Sequence, residues 1–504
     1  MLRLTARQLG VALVVACAYV AIVASAASAT PTTGPTPGSY SGTLPDGGQW
    51  IAQVPSSWNG TLLLYSHGYG PTVAADAPDP NTQAALLSMG YALAGSSYDP
   101  HGSWWALGSA VNDQFETLTD VEKTVLGTTP TDVYAFGTSM GGLISALEDQ
   151  NSDGRLNGSL TTCGLVQGGN NLNQYQLDGE YAIAQLLASS ESIQLTNYTV
   201  PPAEGSTDSL AAANEMLAAM ATAQTTPQGK ARLALAFAFL NVSPWGDPAQ
   251  PGLDDYSAWE QGQYDDYTTG LFGGPVNAIQ FIVEGREQIE AAAGGEGSGT
   301  VGVNFAKLLE QSSYYPEVKA LYDNAGLSLQ SDLQDLKSNA NLTPDQAAYR
   351  WLAKTSVPSG HLQVPELDLH TISDPLIPVQ NENWYAARVN AAGDSSLLEQ
   401  AFVEAQGHCN FTSADLIAGL QALETRVATG SWGTVWTADS LNTAANALPA
   451  GLGGGDFLAF WPEKLTGAMY PFAPGLGNDG ATVDPFTGSS RHLSHKHLQR
   501  HARR

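Results

Sequence analysis

Three short runs, LLLYS (62–66), YALAGS (91–96) and VYAFG (133–137), have apolar or small residues at both odd and even positions and end in small residues. A strand with that pattern has no face for water, so it belongs in a parallel sheet covered by helices on both sides. The stretches between the runs supply those helices. Residues 83–89 read as one, and Phe115, Leu118, Val121 and Val125 recur at helical spacing before Gly127 closes another. QWIAQVP (49–55) alternates and reads as an early strand, and MGGLISALEDQ (140–150) as the helix after the third run. Strands and helices in this alternation predict βαβ units and an α/β fold with a mostly parallel sheet flanked by helices.

The rhythm breaks after TTCGLVQGGNN (161–171), itself read as strand-like. Over 171–360 the pattern is helical, at 209–223, 230–240, 278–292, 304–311 and 343–354, with joints rich in Gly, Pro and Asp. Strand-then-loop returns in LQVPELDLHTISDP and LLEQAFVEAQGHC. The economical division is one core in two parts, 40–170 and 361–480, interrupted by a helical insertion at 171–360 that would act as a lid or cap. Ahead of it, 1–29 combines Arg3 and Arg7, an apolar run and Ala27-Ser28-Ala29, the layout of a cleaved signal peptide, with an uncleaved anchor as the alternative. TPTTGPTPG places a linker over 30–39, and the basic, His-rich end over 481–504 reads as a disordered tail rather than a metal- or wall-binding one. No other stretch has the uninterrupted apolar length of a membrane span.

The formal net charge is −28, and the two ends carry cations without any acid, leaving the body more acidic still. A polyanion would be repelled, which excludes nucleic acid as a partner. Charged residues are only 13% of the chain, a composition suited to an extracellular setting. Removal of the signal would leave Cys163 and Cys409, with one possible pairing in an oxidising compartment. No zinc spacing, H-E-x-x-H or phosphate-binding loop occurs, so neither metal nor cofactor is expected, and GGEGSG reads as a hinge. Trp245, Tyr256, Trp259, Tyr264, Tyr267, Trp432, Trp436 and Trp461 read mostly as packing.

Chemistry centres on GTSMG (137–141). With 53 glycines in the chain, a G-x-S-x-G pattern carries weight only in context. Here a buried strand precedes Ser139 and a helix follows it, which is the setting of a nucleophile elbow with Gly137 and Gly141 as its small flanks. A serine hydroxyl needs a base. Among His67, His101, His361, His370 and His408, only His408 stands in a loop directly after a strand other than the HGYG loop. The acid that orients the base is Asp374, first after a buried strand, in preference to Asp368 or Glu404 within strands. Backbone N–H groups of Tyr69, in H-G-Y-G, and of Met140 are the candidates for stabilising an oxyanion.

WNGTLLLYSHGYG, GYALAGSSYD, GTSMGG, TISDPLIPV and GHCNFT together resemble secreted bacterial α/β-hydrolases of the esterase or prolyl-oligopeptidase-like kind, over roughly 49–167 and 362–427. The order Ser139, Asp374, His408 is the order of that fold. The resemblance implies an α/β-hydrolase fold and a serine hydrolase that cleaves carboxylic esters of small molecules or polymers through an acyl-enzyme. An amidase or exopeptidase with the same residues is the alternative. A non-catalytic surface-binding module would be expected to lack one of the three residues, and none is missing. The chain is also distantly similar to tannases and feruloyl esterases, in which a cysteine beside the histidine bonds to one beside the nucleophile. Thr138 stands before Ser139 instead, so a disulfide from Cys409 would go to Cys163.

Overall fold

A computed structural model describes residues 35–188, 192–199, 207–246, 250–252 and 254–467. The expected signal segment, residues 30–34 of the linker and the basic tail lie outside the described residues, and β1 begins within the expected linker. The first part of the core runs β1 (Gly38–Thr43), β2 (Gln49–Val54), β3 (Thr61–Ser66), α1 (Pro80–Ser88), β4 (Ala92–Ser96), α2 (Ala110–Val121), β5 (Asp132–Thr138), α3 (Met140–Gln150) and β6 (Gly158–Thr162). Among the described residues nine helices follow: α4 (Gly169–Leu187), α5 (Thr207–Ala223), α6 (Pro227–Leu240), α7 (Tyr256–Thr268), α8 (Ala278–Ala293), α9 (Phe305–Gln311), α10 (Tyr315–Ala325), α11 (Leu329–Asn339) and α12 (Gln346–Thr355). The chain then returns through β7 (Glu366–Ser373), α13 (Gln380–Ala392), β8 (Leu398–Gln406), α14 (Ser413–Thr429), α15 (Ala438–Asn446) and β9 (Phe457–Leu458).

All nine strands form one sheet in the order β1-β2-β4-β3-β5-β6-β7-β8-β9. β4, β3, β5, β6, β7 and β8 are mutually parallel, while β1, β2 and β9 add antiparallel edges. The crossing of β3 and β4 follows from βαβ connections that pass first one way and then the other along the sheet. Every residue of β3, β4 and β6 is buried. Successive side chains still take opposite faces, as a pleat requires. Leu62 and Leu64 join Phe115, Leu118 and Val121 of α2, whereas Leu63 and Tyr65 join Phe136, Ile417 and Leu420 on the α14 face.

Local chemistry starts and stops these elements where expected. The Asp79 carboxylate accepts from the N–H groups of Asn81 and Thr82 ahead of Pro80, and Gly127 turns left-handed (φ 66°) after the helical segment that extends α2. TTCGLVQGGNN departs from its strand reading. β6 ends at Thr162, Cys163 adopts φ 44°, and the buried Leu165 and Val166 belong to a loop. An apolar run marks burial, and here burial is achieved without extended pairing. α4, α7, α10 and α11 form in stretches to which the sequence reading gave no helix. In α4 the reason is plain, since Asn171, Asn173, Gln174, Asp178 and Glu180 are buried among apolar neighbours. The fully buried Arg286 answers part of that polarity, with Glu180 Oε2 at 2.9 Å and Glu296 Oε2 at 3.3 Å. The helices between β6 and β7 share one apolar cluster with Met140, Leu143 and Ile144 of α3.

Candidate active site

Ser139 occupies the single residue between β5 and α3, at φ 61° and ψ −123°. A non-glycine residue held there stores strain, which persists only where its surroundings dictate it. Those surroundings are specific. The Ser139 N–H donates to the Thr162 carbonyl of β6 at 2.9 Å, and its carbonyl accepts from Gly142 N–H at 2.8 Å. A Cβ on Gly137 would strike the Gly141 carbonyl, and one on Gly141 the Ser66 carbonyl. The two glycines are therefore what allow strand, elbow and helix to approach. At the start of α3 the Met140 N–H has no carbonyl one turn earlier, so it adds to the positive end of the helix.

Three strand ends converge above this turn. His408 follows β8, with Nε2 2.7 Å from Ser139 Oγ and Nδ1 2.6 Å from Asp374 Oδ2. Asp374 follows β7, and its Oδ1 accepts from the N–H groups of Leu376 and Ile377 at 2.9 Å each. Burial by itself would raise the Asp374 pKa, but the charge and hydrogen bond of His408, with His370 and the Ile377 amide, hold it below the usual value of 3.8. The turn bearing His408 is fastened on both sides. Gly407 N–H donates to Ser373 carbonyl at 2.7 Å, and Cys409, at φ 56°, is disulfide-bonded to Cys163 beyond β6 with Cα atoms 5.3 Å apart. His408, Cys163 and Cys409 have the proximity of a metal cluster, but the two sulfurs are bonded to each other and offer no thiolate. A hydroxyl, an imidazole and a carboxylate in this line can move a proton off the hydroxyl and return it to a leaving group.

The other candidates are disposed differently. Asp368 accepts from Thr161 Oγ1, Glu404 is exposed, and so are His101 and His361. His67 stacks on Tyr98 with ring centres 4.2 Å apart, and its burial lowers its pKa. The loop it begins runs along the elbow, for a Cβ on Gly68 would come within 3.2 Å of Ser139 Cβ. Tyr69 and Met140 thus both flank Ser139. His370, an in-strand residue in the sequence reading, lies directly behind Asp374. Its Nδ1 is 3.0 Å from Glu382 Oε1, and its Nε2 is 2.9 Å from the Ile377 carbonyl and 3.6 Å from Asp374 Oδ2. Burial opposes a charge there, yet Glu382 and then Asp374 outweigh it and raise its pKa. The available signal was an acid four residues after a strand histidine, which is also what chance produces. Beside Ser139 and His408 opens a cavity of about 50 Å³ walled chiefly by Tyr69, Trp105, Leu172, Phe281, Ile282 and Ile289. Four of these six, Leu172, Phe281, Ile282 and Ile289, lie in the stretch 171–360 that the sequence reads as a lid or cap.

No family model matches the chain. It is 29% identical over 427 residues to an o-phthalyl amidase of Xanthobacter agilis, covering 81% of this chain and 91% of that relative. Among solved structures, the rice cell wall degrading esterase LipA of Xanthomonas oryzae is 15% identical, with 78% of this chain and 87% of that one covered and a TM-score of 0.32. Feruloyl esterase B of Aspergillus oryzae is 15% identical, with 77% and 80% covered and a TM-score of 0.35. Among the described residues, no helix is long and apolar enough to cross a membrane. Its strand order and the serine turn between β5 and α3 give the chain the fold of an α/β-hydrolase.

Proposed function

We propose that the protein is a serine hydrolase that cleaves carboxylic esters through an acyl-enzyme. The observation that carries this reading is the continuous line Ser139 Oγ, His408 Nε2, His408 Nδ1, Asp374 Oδ2, with both contacts under 3 Å. His408 takes the Ser139 proton as Oγ attacks the substrate carbonyl, and Asp374 keeps the imidazole in the tautomer that leaves Nε2 free to accept. The backbone N–H groups of Tyr69 and Met140 receive the developing oxyanion, a contribution of about 10²–10³ in rate per donor. His408 then gives its proton to the departing oxygen, and water repeats the sequence on the acyl-enzyme. The acyl group occupies the apolar cavity, and α8, which contributes Phe281, Ile282 and Ile289 to its wall, acts as part of a cover over the site. Export fits the Cys163–Cys409 pair and the leader-like N-terminus.

A second reading, amide cleavage by the same residues, is favoured by the likeness to an o-phthalyl amidase. Both are tested on one preparation with a chromogenic ester and the matched anilide, together with a fluorophosphonate probe. Ser139→Ala is expected to lose turnover and labelling while folding as the wild type does. Labelling that persisted in Ser139→Ala would sink the nucleophile assignment, and anilide turnover equal to ester turnover would replace esterase by amidase.

A further inference from the structure

Between α7 and α8 the chain makes a tight turn that ends in an exposed aromatic ring. Leu271 N–H donates to the Val276 carbonyl at 2.7 Å, Gly274 N–H to the Leu271 carbonyl at 2.8 Å, and Gly270 bridges Asn277. A Cβ on Gly270 would strike the Gly274 carbonyl, so the turn closes only with glycine there. Its far end is anchored as well, because Asn277 and Gln280 form a capping box at the start of α8. On this fastened base Leu271 points inward, 8% exposed, while Phe272 stands out at 72%.

Two features make Phe272 more than an incidental surface residue. It is held at φ 54°, ψ 25°, a left-handed conformation that a residue with a side chain rarely adopts. Its ring also lies 6.3 Å from the His408 ring at 63°. The cavity is walled from the inner side by Leu172, Ile282 and Ile289, and Phe272 is not part of that wall. It therefore flanks the histidine outside the space assigned to the acyl group. In acyl transfer the atom that receives the proton from Nε2 belongs to the leaving group. A side chain beside the imidazole and outside the acyl cavity is placed to touch what leaves.

We propose that Phe272 is a specificity residue that packs against the leaving alcohol or amine and favours an aromatic or bulky apolar one. The inference rests on the assignment of Ser139, His408 and the cavity above. Its chemistry is ring contact: a well-arranged aromatic pair, together with the apolar area it buries, amounts to about tenfold in kcat/KM. The left-handed turn keeps the ring in place before substrate arrives, so less ordering is needed on binding.

The test compares benzyl and ethyl esters of one carboxylic acid, so that the acyl group is constant. In Phe272→Ala, kcat/KM for the benzyl ester is expected to fall about tenfold while the ethyl ester stays within about twofold. Phe272→Tyr should retain the benzyl preference. An exposed side chain makes both variants tolerable to the fold, which the fluorophosphonate labelling rate checks independently. Equal losses on both esters, or a slower labelling rate in parallel, would assign Phe272 to the support of His408 instead, and no loss on either would remove it from the site. Ser139→Ala measured alongside separates the two levels: activity surviving in that variant overturns the proposed mechanism whatever Phe272 does.

Discussion

Replacing Asp374 by Asn tests the relay most sharply, because the structure dictates how the amide would sit. Oδ1 accepts two backbone N–H bonds, from Leu376 and Ile377. The amide oxygen of Asn must take that position, since an NH2 group there would leave two buried donors unpaired at about 1–3 kcal/mol each. The NH2 group is then left facing His408 Nδ1, which is 2.6 Å from Oδ2 in the native site. Two donors cannot share that contact, so Nδ1 gives up its proton and Nε2 carries it instead. The nitrogen 2.7 Å from Ser139 Oγ becomes a donor and can no longer act as base. A wrong-tautomer substitution of this kind costs about 10⁴ in kcat, or about 5.5 kcal/mol. The assay is kcat/KM on a chromogenic ester with parallel fluorophosphonate labelling, and a thermal melt to verify folding. His408→Ala should lose at least as much, because the base itself is gone. Activity of Asp374→Asn within about tenfold of wild type would refute the reasoning and move the orienting acid elsewhere.

Reducing the Cys163–Cys409 bond, which closes a separation of 246 residues, should lower stability by about 2–5 kcal/mol. Because Cys409 adjoins His408, Cys409→Ser should also lower kcat, and unchanged kcat at a temperature where the variant is folded would show that Gly407 alone fixes the turn. Burial, opposed by a Ser66 hydrogen bond and the Arg155 charge, lifts the Glu148 pKa to about 8 from 4.5. Folded Glu148 therefore keeps a proton that the unfolded chain has lost between those values, and stability falls as pH rises from 4.5 towards 8. Glu290, raised to about 8 by burial and Glu296, acts with the same sign. Melts at pH 5 and pH 8 should show a lower Tm at pH 8, less so in Glu148→Gln, and an equal drop in both proteins would mean that Glu148 is ionised when folded. Asp374 has the opposite sign: with its pKa held below 3.8, its contribution is complete above 3.8 and disappears as pH falls through the folded value.

Much of this protein is written in short-range pattern. Doubly apolar runs such as LLLYS and VYAFG admit little besides central parallel strands, and the Gly-x-Ser-x-Gly at the end of one of them admits little besides a sharp strand-to-helix turn, because the periods of strand and helix are local properties of the chain. Histidine and acid at the ends of later strands were legible for the same reason, since parallel strands deliver their carboxyl ends to one edge of a sheet. The tertiary structure alone decided the rest. The walls of the cavity come from Tyr69, Trp105, Leu172 and α8, far apart in sequence, and apolar spacing marks a helix face without saying what it meets. α4 is buried on nearly every side, so polar and apolar residues alternate through it without an apolar stripe, and Arg286, more than a hundred residues on, meets part of that polarity. His370 became part of the relay's surroundings only when Glu382 and Asp374 folded against it. The local turn lifts the Phe272 ring, but that it stands beside His408 is a nearness in space that no distance in sequence encodes.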